Sequence, residues 1–204
     1  MVKHTVDVDG IPSLNVPLLT QPNSEKECLV YCLGMVLQYC NRVHPNNTVR
    51  EATNELSPSE LKDDHIFIRD SGWSPDEDDL EALSDELGIV SVEWLYWMKS
   101  PPIGAFDDCV ESGLEQNLPT IAVVDARRIQ RIDSNDSQHA VVVVGLGKSK
   151  VVLNDPWGEK HQVLKKDVVI DAWDTVLNRL MVIDISKQNT INQKLIKEEE
   201  NVSQ

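Results

Sequence analysis

A cysteine stands in this sequence where a thiol could act as a nucleophile. Ser24 and Glu27 have the Ser-x-x-Glu spacing of a capping box, and Cys28 opens the apolar decade that follows. The pattern predicts a buried helix that starts near residue 24, with the thiol at about its fourth position. Backbone amides and the positive end of the helix dipole favour an anion there, so they would stabilise the nucleophilic thiolate. Structural cysteines are common in cores, so this thiol alone does not establish a reaction.

Two further side chains with matching chemistry lie at strand ends in the second half of the chain. His139 follows a polar loop and precedes a run of β-branched residues, whereas Asp155 follows a second apolar run and begins a Pro-Trp-Gly turn. A histidine within reach of a thiol can accept its proton, and a carboxylate can fix the tautomer of the ring. The structural alternatives are a histidine that caps backbone groups and an aspartate that only starts an Asp-Pro turn.

A regular hairpin would not bring these two side chains together. If the strands pair regularly across the 147–150 loop, Asp155 falls opposite Val142, on the wrong face for His139. A bulge or an asymmetric loop would place Asp155 opposite Val141, on the same face as His139 and about 7 Å along the strand. We therefore predict an irregularity in this hairpin.

Gln21 lies seven positions before Cys28, on the segment that leads into the predicted helix. Its side-chain amide could donate a hydrogen bond, together with the Cys28 backbone N–H, to a carbonyl oxygen under attack. The alternative is a solvated loop glutamine, and only the position relative to the cysteine favours the functional role.

The elements that must position these residues fall into two halves. Capping and apolar patterns predict helices first, and β-branched runs bounded by Pro, Gly or charge predict an antiparallel sheet second, which makes the fold class α+β. We expect an N-terminal arm over residues 1–20, one domain over 21–186 and a flexible or helical tail over 187–204. Ser-Pro patterns predict helix starts at 57–60 and at 74–77, the second helix ending near Gly88, and a further helix is predicted over 106–116. The predicted strands are 120–126, 140–146, 151–154 and 180–185.

The composition limits the partners. The chain has 204 residues, 41% of them hydrophobic, which suits one domain with a core of its own. The 34 acidic residues exceed the 19 basic ones and give a formal charge of −15, which argues against binding to nucleic acid. The acidic surface could receive a cationic peptide or a protein partner, or could serve solubility alone. No signal-like segment and no run near the roughly 20 apolar residues of a membrane span occurs, so we expect a cytoplasmic protein.

Cysteine usage points away from disulfides and metals. Three of the four cysteines lie on one predicted helix, where a rigid backbone hinders pairing, so reduced thiols are expected. The chain has no Cys-x-x-Cys pair and no His-x-x-x-His pair, so we expect neither a metal nor another cofactor.

Three segments resemble one known family. The residues from Glu27 to Val36, with Gln21 ahead of them, are similar to the active-site helix of the bacteriocin-processing peptidases. These are papain-like cysteine peptidases that trim double-glycine leaders. The segments that begin at His139 and Asn154 resemble the histidine and aspartate segments of that family, in the same order.

This resemblance covers about residues 16–173 and implies a papain-like fold with a central helix packed against an antiparallel sheet. By the same resemblance Cys28 would be the nucleophile, His139 the base, Asp155 the orienting acid and Gln21 the oxyanion donor. The implied activity is hydrolysis of a peptide or protein substrate.

Two departures from the family pattern keep other hypotheses open. Leu29 stands where the family usually has glycine after the nucleophile, and the gap between Gln21 and Cys28 is one residue longer than expected. The same triad could pass an acyl group to an amine, as transglutaminase-like relatives do. A catalytically inactive module that binds a peptide or protein is the third hypothesis, which Leu29 and the acidic charge favour.

Overall fold

The computed structural model describes residues 4–21, 27–43, 68–69, 72–73, 78, 80–81, 84, 91–96, 101–130, 138–158, 160–176 and 178–184. Within these residues the helices with defined bounds are α1 (Cys28–Val43), α2 (Ala105–Glu115), α3 (Ala126–Gln130) and α4 (Lys166–Thr175). The strands are β1 (Thr5–Val8), β2 (Ile11–Leu14), β3 (Ile68–Arg69), β4 (Gly72–Trp73), β5 (Ser91–Tyr96), β6 (Thr120–Asp125), β7 (Gln138–Leu146), β8 (Lys150–Asn154), β9 (Gln162–Lys165) and β10 (Arg179–Asp184).

Eight of these strands form one sheet. Its order is β1-β2-β7-β6-β10-β5, and β8 pairs with β7 while β9 pairs with β8. The pairings within the described residues are antiparallel, and β3 and β4 form a separate two-stranded sheet. The predicted α+β class is therefore confirmed, with the predicted strands present as β6, β7, β8 and β10 and the helix predicted over 106–116 as α2.

Strand β7 lies at the centre of the molecule because both of its faces are covered. Val142 lies in the core that also contains Leu33 of α1. Val141 lies in a second core, with Phe106 of α2 and Trp173 of α4, whose rings meet edge to face at 5.4 Å. A strand buried on both faces needs apolar side chains at successive positions, which explains its unbroken β-branched run.

The hairpin formed by β7 and β8 contains the predicted irregularity. The register shifts near the turn, and at the open end Val142 lies opposite Asn154. One position further along, the same register places Asp155 opposite Val141, on the face of β7 that carries His139. The bulge is therefore what allows a carboxylate at the end of one strand to meet an imidazole at the start of the other.

The N-terminal segment is more ordered than the predicted arm over residues 1–20. Strands β1 and β2 form a hairpin, and β2 joins the sheet where Ser13 lies opposite Gly145. A side chain at position 145 would overlap the Ser13 hydroxyl, so glycine permits this close approach. Ile11 and Val16 are buried in the α1 core. The prediction of an arm was wrong for this segment, because each strand has only four residues and gives little periodicity to detect.

Other elements were not predicted, and some predictions lie outside the described residues. Strands β5 and β9 and helices α3 and α4 had no clear pattern in the sequence. The helix starts at 57–60 and 74–77 and the tail over 187–204 lie outside the described residues, and the domain limits of 21 and 186 stay predictions. No helix in the described part is long and apolar enough to cross a bilayer.

Candidate active site

The thiol of Cys28 lies at the very start of α1. The Tyr31 N–H donates to the Glu27 carbonyl over 3.1 Å, which is the first hydrogen bond of the helix and makes Glu27 its N-cap. Helix α1 begins at Cys28, so the predicted fourth position was wrong, and Ser24 lies outside the described residues. The first position suits an anion as well as the fourth, because the amides of the first turn have no acceptor within the helix.

A backbone amide from the sheet also contacts the sulfur. The Ala140 N–H donates to Cys28 Sγ over 3.4 Å. Because Ala140 follows His139 directly, this bond ties the start of α1 to the start of β7.

The other three cysteines are poor nucleophiles. Burial, and then the charges of Cys28 and Asp155, raise the pKa of Cys32 well above its usual value. Burial raises the pKa of Cys40 to about 12. Burial and the neighbouring Asp108 also raise the pKa of Cys109. None of the four cysteines, all of which the structure describes, is in a disulfide.

The imidazole of His139 is enclosed completely. Its side chain is inaccessible to solvent, and its ring stacks on Trp157 with a centroid distance of 4.4 Å and an interplanar angle of 24°. His139 Nε2 lies 2.8 Å from Asp155 Oδ1. Nδ1 has no hydrogen-bond partner among the described residues and is the nitrogen left to serve the thiol. The bond to the carboxylate therefore orients the ring through Nε2 and leaves Nδ1 available to another partner.

His139 and Asp155 each stabilise the charged form of the other. Burial by itself lowers the pKa of His139, but the hydrogen bond to Asp155 and the interaction with the nearby Cys28 outweigh it and raise the value from 6.5 to about 9. Burial opposes ionisation of Asp155 too, yet bonding to His139, Gln130 and the Trp157 N–H leaves its pKa lowered. Imidazolium and carboxylate are thus the stable forms at neutral pH.

The turn after β8 holds the carboxylate in place. The Trp157 N–H donates to Asp155 Oδ1 over 2.8 Å, and the Gly158 N–H donates to the Asp155 carbonyl over 3.0 Å. The second oxygen, Oδ2, accepts a 2.6 Å hydrogen bond from Gln130 Nε2. Every oxygen of this fully buried carboxylate therefore has a partner, as a buried charge requires.

Gln21 lies beside the same turn. Its backbone N–H donates to the Pro156 carbonyl over 2.9 Å, and the residue is 2% exposed. Neither its side-chain nitrogen nor its side-chain oxygen has a hydrogen-bond partner in the described part of the chain. A buried amide without partners is costly, and a bound carbonyl oxygen would relieve that cost.

Leu29, which stands where the family usually has glycine, is packed in the core. Its side chain is 6% exposed and belongs to the core between α1 and the sheet. The extra bulk is therefore part of the packing of α1.

Sequence reasoning missed three participants in this group. Gln130 lies at the end of a five-residue helix, and its partner Asp155 is 25 positions away. The Ala140 amide is a backbone group and has no sequence signal. Trp157 is one of the five tryptophans that the sequence offers as candidates for an aromatic cleft wall, but its contact with the histidine was not predicted.

The comparisons with known proteins identify the class and then the family. A central helix packed against an antiparallel sheet is the fold of the papain-like cysteine peptidases. A scan against protein-family models matches residues 13–179 to the Peptidase_C39 like family. The chain therefore belongs to that family, and family and fold together support a cysteine peptidase that acts on peptides.

Two solved structures are similar to this chain, and the first of them supports the fold. A crystal structure from Bacillus anthracis, described as that of a C39-like peptidase, has a TM-score of 0.56 at 14% identity and covers 89% of this chain and 98% of that one. The peptidase domain of Streptococcus ComA, a bi-functional ABC transporter involved in a quorum sensing pathway, has a TM-score of 0.49 at 15% identity, with 82% and 96% covered. A search of curated proteins found no match.

Proposed function

We propose that this chain hydrolyses peptide bonds with Cys28 as nucleophile, His139 as general base and acid, Asp155 as the group that orients the histidine and Gln21 as an oxyanion donor. The single observation that carries the proposal is the placement of His139. One ring nitrogen is bound to a buried carboxylate, and the residue that follows it contacts the Cys28 sulfur. Thiol-dependent acyl chemistry uses a thiol, an imidazole that exchanges a proton with it and a carboxylate that orients the imidazole, and these three groups lie together here.

The first half of the reaction forms an acyl-enzyme. With the proton of the Cys28 thiol already held on His139 Nδ1, the thiolate attacks the carbonyl carbon of the scissile peptide bond. The negative charge that develops on the carbonyl oxygen accepts hydrogen bonds from the Cys28 backbone N–H and the Gln21 side-chain amide. The C–N bond then breaks, and His139 gives its proton to the departing amine.

The second half releases the product. His139 removes a proton from water, the resulting hydroxide attacks the thioester, and the C–S bond breaks to leave a carboxylic acid and the thiol–imidazole pair. Throughout, Asp155 keeps the proton on Nε2 and favours the imidazolium form. Transfer to an amine in place of water would need the same residues and would yield an amide.

We expect the pH dependence of kcat/KM to reflect the ionisation of His139. Because the pKa of His139 is raised to about 9, its protonated form and the stability that it contributes are fully present below pH 6.5 and are lost as the pH rises through about 9. We expect kcat/KM to fall tenfold per pH unit above about pH 9. A pH-rate profile with peptide substrate measures this. A descending limb near pH 6.5, the value for an isolated histidine, would contradict the predicted charge coupling.

A competitive labelling experiment tests the proposed function. The protein is treated with iodoacetamide at neutral pH, and the alkylation rates of Cys28 and Cys109 are compared by peptide mass spectrometry. Cys109 is the internal control, since it is also partly exposed and its pKa is raised. We expect Cys28 to react at least about tenfold faster. Equal rates would count against catalysis and favour a binding module.

Product analysis then identifies the reaction. The protein is incubated with a peptide mixture in water enriched in oxygen-18, with and without added primary amine. Peptide hydrolysis predicts oxygen-18 in the new carboxyl group, and Cys28→Ala should remove the signal. An amide product that replaces the acid when amine is present would assign acyl transfer.

A further inference from the structure

We propose that Gln130 is a positioning residue that fixes the plane of the Asp155 carboxylate and, through it, the ring of His139. The inference rests on the proposed function. It adds a fifth side chain to the four of the proposed mechanism, contributed by helix α3, and no sequence pattern indicated it.

Both oxygens of the Asp155 carboxylate are bound. Oδ1 accepts from the Trp157 N–H and lies against His139 Nε2, both at 2.8 Å. Oδ2 accepts from Gln130 Nε2 at 2.6 Å, the one partner recorded for it among the described residues. A carboxylate bound at one oxygen can still rotate about its last torsion, which has broad minima. Binding of both oxygens defines its plane, and the imidazole must follow that plane to keep its bond.

Gln130 acts on the histidine only through the carboxylate. Its Nε2 lies 3.4 Å from His139 Nε2, but both nitrogens carry protons when the ring donates to Asp155, so neither can accept from the other. The titratable groups that face His139 are Cys28 from α1 and Asp155 after β8. Gln130 adds a donor from α3 without adding a charge. A cationic residue at that position would compete with the imidazolium for the carboxylate.

Helix α3 is held firmly enough for this role. Its start is fixed by Asp125, whose Oδ1 accepts from the Arg127 N–H over 3.0 Å and whose Oδ2 pairs with the Arg127 side chain at 2.7 Å. Ile129 is 5% exposed and packs in the core that α4 covers. Arg128 pairs with Asp171 of α4. A short helix anchored to a strand and to a second helix can place one amide accurately.

The test compares Gln130→Met with Gln116→Met. Methionine has nearly the same length and shape as glutamine but has no N–H donor, so the first variant removes only the bond to Asp155 Oδ2. Gln116 is exposed at the end of α2, where its amide donates to the Ser112 carbonyl, and serves as the matched control. Both changes are also made in an Asp155→Asn background. Two substrate-free readouts are used, the titration of the His139 ring by NMR and the alkylation rate of Cys28 by iodoacetamide.

We expect Gln130→Met to slow alkylation of Cys28 about tenfold at neutral pH, since a hydrogen bond to a charged group is lost. The pKa of His139 should move from about 9 towards its usual 6.5, because the carboxylate no longer holds one orientation. With peptide substrate, kcat should fall while KM stays unchanged. Gln130→Met should have no further effect in the Asp155→Asn background, because its route to the ring is already lost. Gln116→Met should match the parent protein throughout.

An unchanged or raised pKa of His139 in Gln130→Met overturns the inference. The inference is also overturned if Gln130→Met slows alkylation of Cys28 equally in the Asp155→Asn background, because that would indicate general destabilisation. A lower melting temperature with an unaltered titration assigns Gln130 a structural role only. Failure of the proposed function would show as the absence of Cys28-dependent peptide cleavage, which distinguishes it from failure of the inference about Gln130. Neither substrate-free readout depends on that cleavage.

Discussion

Cys28→Ala is expected to lower kcat/KM for peptide hydrolysis by at least about 10⁴-fold, the largest loss of any single substitution in this protein. In the proposed mechanism the Cys28 sulfur forms the thioester, and no neighbouring group can replace it. Cys32, one turn further along α1, is buried with its pKa raised well above the usual value, so it remains a thiol. Steady-state kinetics with a cleaved peptide, followed over at least four decades of rate, measure the loss.

Cys109→Ala is the matched control for this prediction. It also removes a partly exposed thiol, but one that lies on α2 beside Asp108, away from the His139 ring. Its activity should stay within about twofold of the parent. Thermal unfolding should be nearly the same for both variants, because Cys28 is only partly buried and its bond to the Ala140 amide is long. If Cys28→Ala retained more than a hundredth of the activity, the thiolate mechanism would be wrong.

The central part of the fold could be predicted because its signals are local. The apolar decade after Cys28 can only be a buried helix, and the β-branched runs on either side of the 147–150 loop can only be paired strands. The bulge followed from a mismatch between face and register, since His139 and Asp155 could not meet without it. Its presence shows that a functional demand on two side chains can predict a departure from regular pairing.

What the sequence could not indicate depends on long-range contacts. Strands β1 and β2 are stabilised by β7, and their four-residue patterns carry no information about that partner. Gln130 resembles a surface residue until α3 is placed beside the turn after β8. The start of α1 was misplaced because a Ser-x-x-Glu pattern is a common and weak signal, whereas the bond from Tyr31 to Glu27 fixes the first turn.

The ability of Asp155 to stabilise the imidazolium of His139 also depends on long-range contacts, because these contacts bury both side chains. In water an aspartate and a histidine would pair only weakly. Here both side chains are buried, and the carboxylate also binds the Trp157 N–H and Gln130. Desolvation is thus offset by three hydrogen bonds, and the charge of Asp155 is available to stabilise the imidazolium.

His139→Gln is expected to lower kcat/KM by about 10³-fold, the range over which general acid–base catalysis contributes. Glutamine can still donate a hydrogen bond to Asp155 Oδ1, which limits the cost of leaving a buried carboxylate with one partner fewer. It cannot exchange a proton with Cys28 Sγ or with the leaving amine. The chemistry is therefore removed while most of the local packing, including the contact with Trp157, is retained.

The control for that substitution is His4→Gln, which changes an exposed histidine ahead of β1 and should leave kcat/KM unchanged. Iodoacetamide labelling of Cys28 adds a second measurement, since loss of the imidazolium should slow alkylation at neutral pH whether or not a peptide substrate is known. A His139→Gln protein that labels Cys28 and cleaves peptide at the parental rates, while keeping its melting temperature, would show that the thiol is activated by α1 and the Ala140 amide without the imidazole. The expected result is the opposite, because a helix start and one amide stabilise a thiolate but supply no proton to the departing amine.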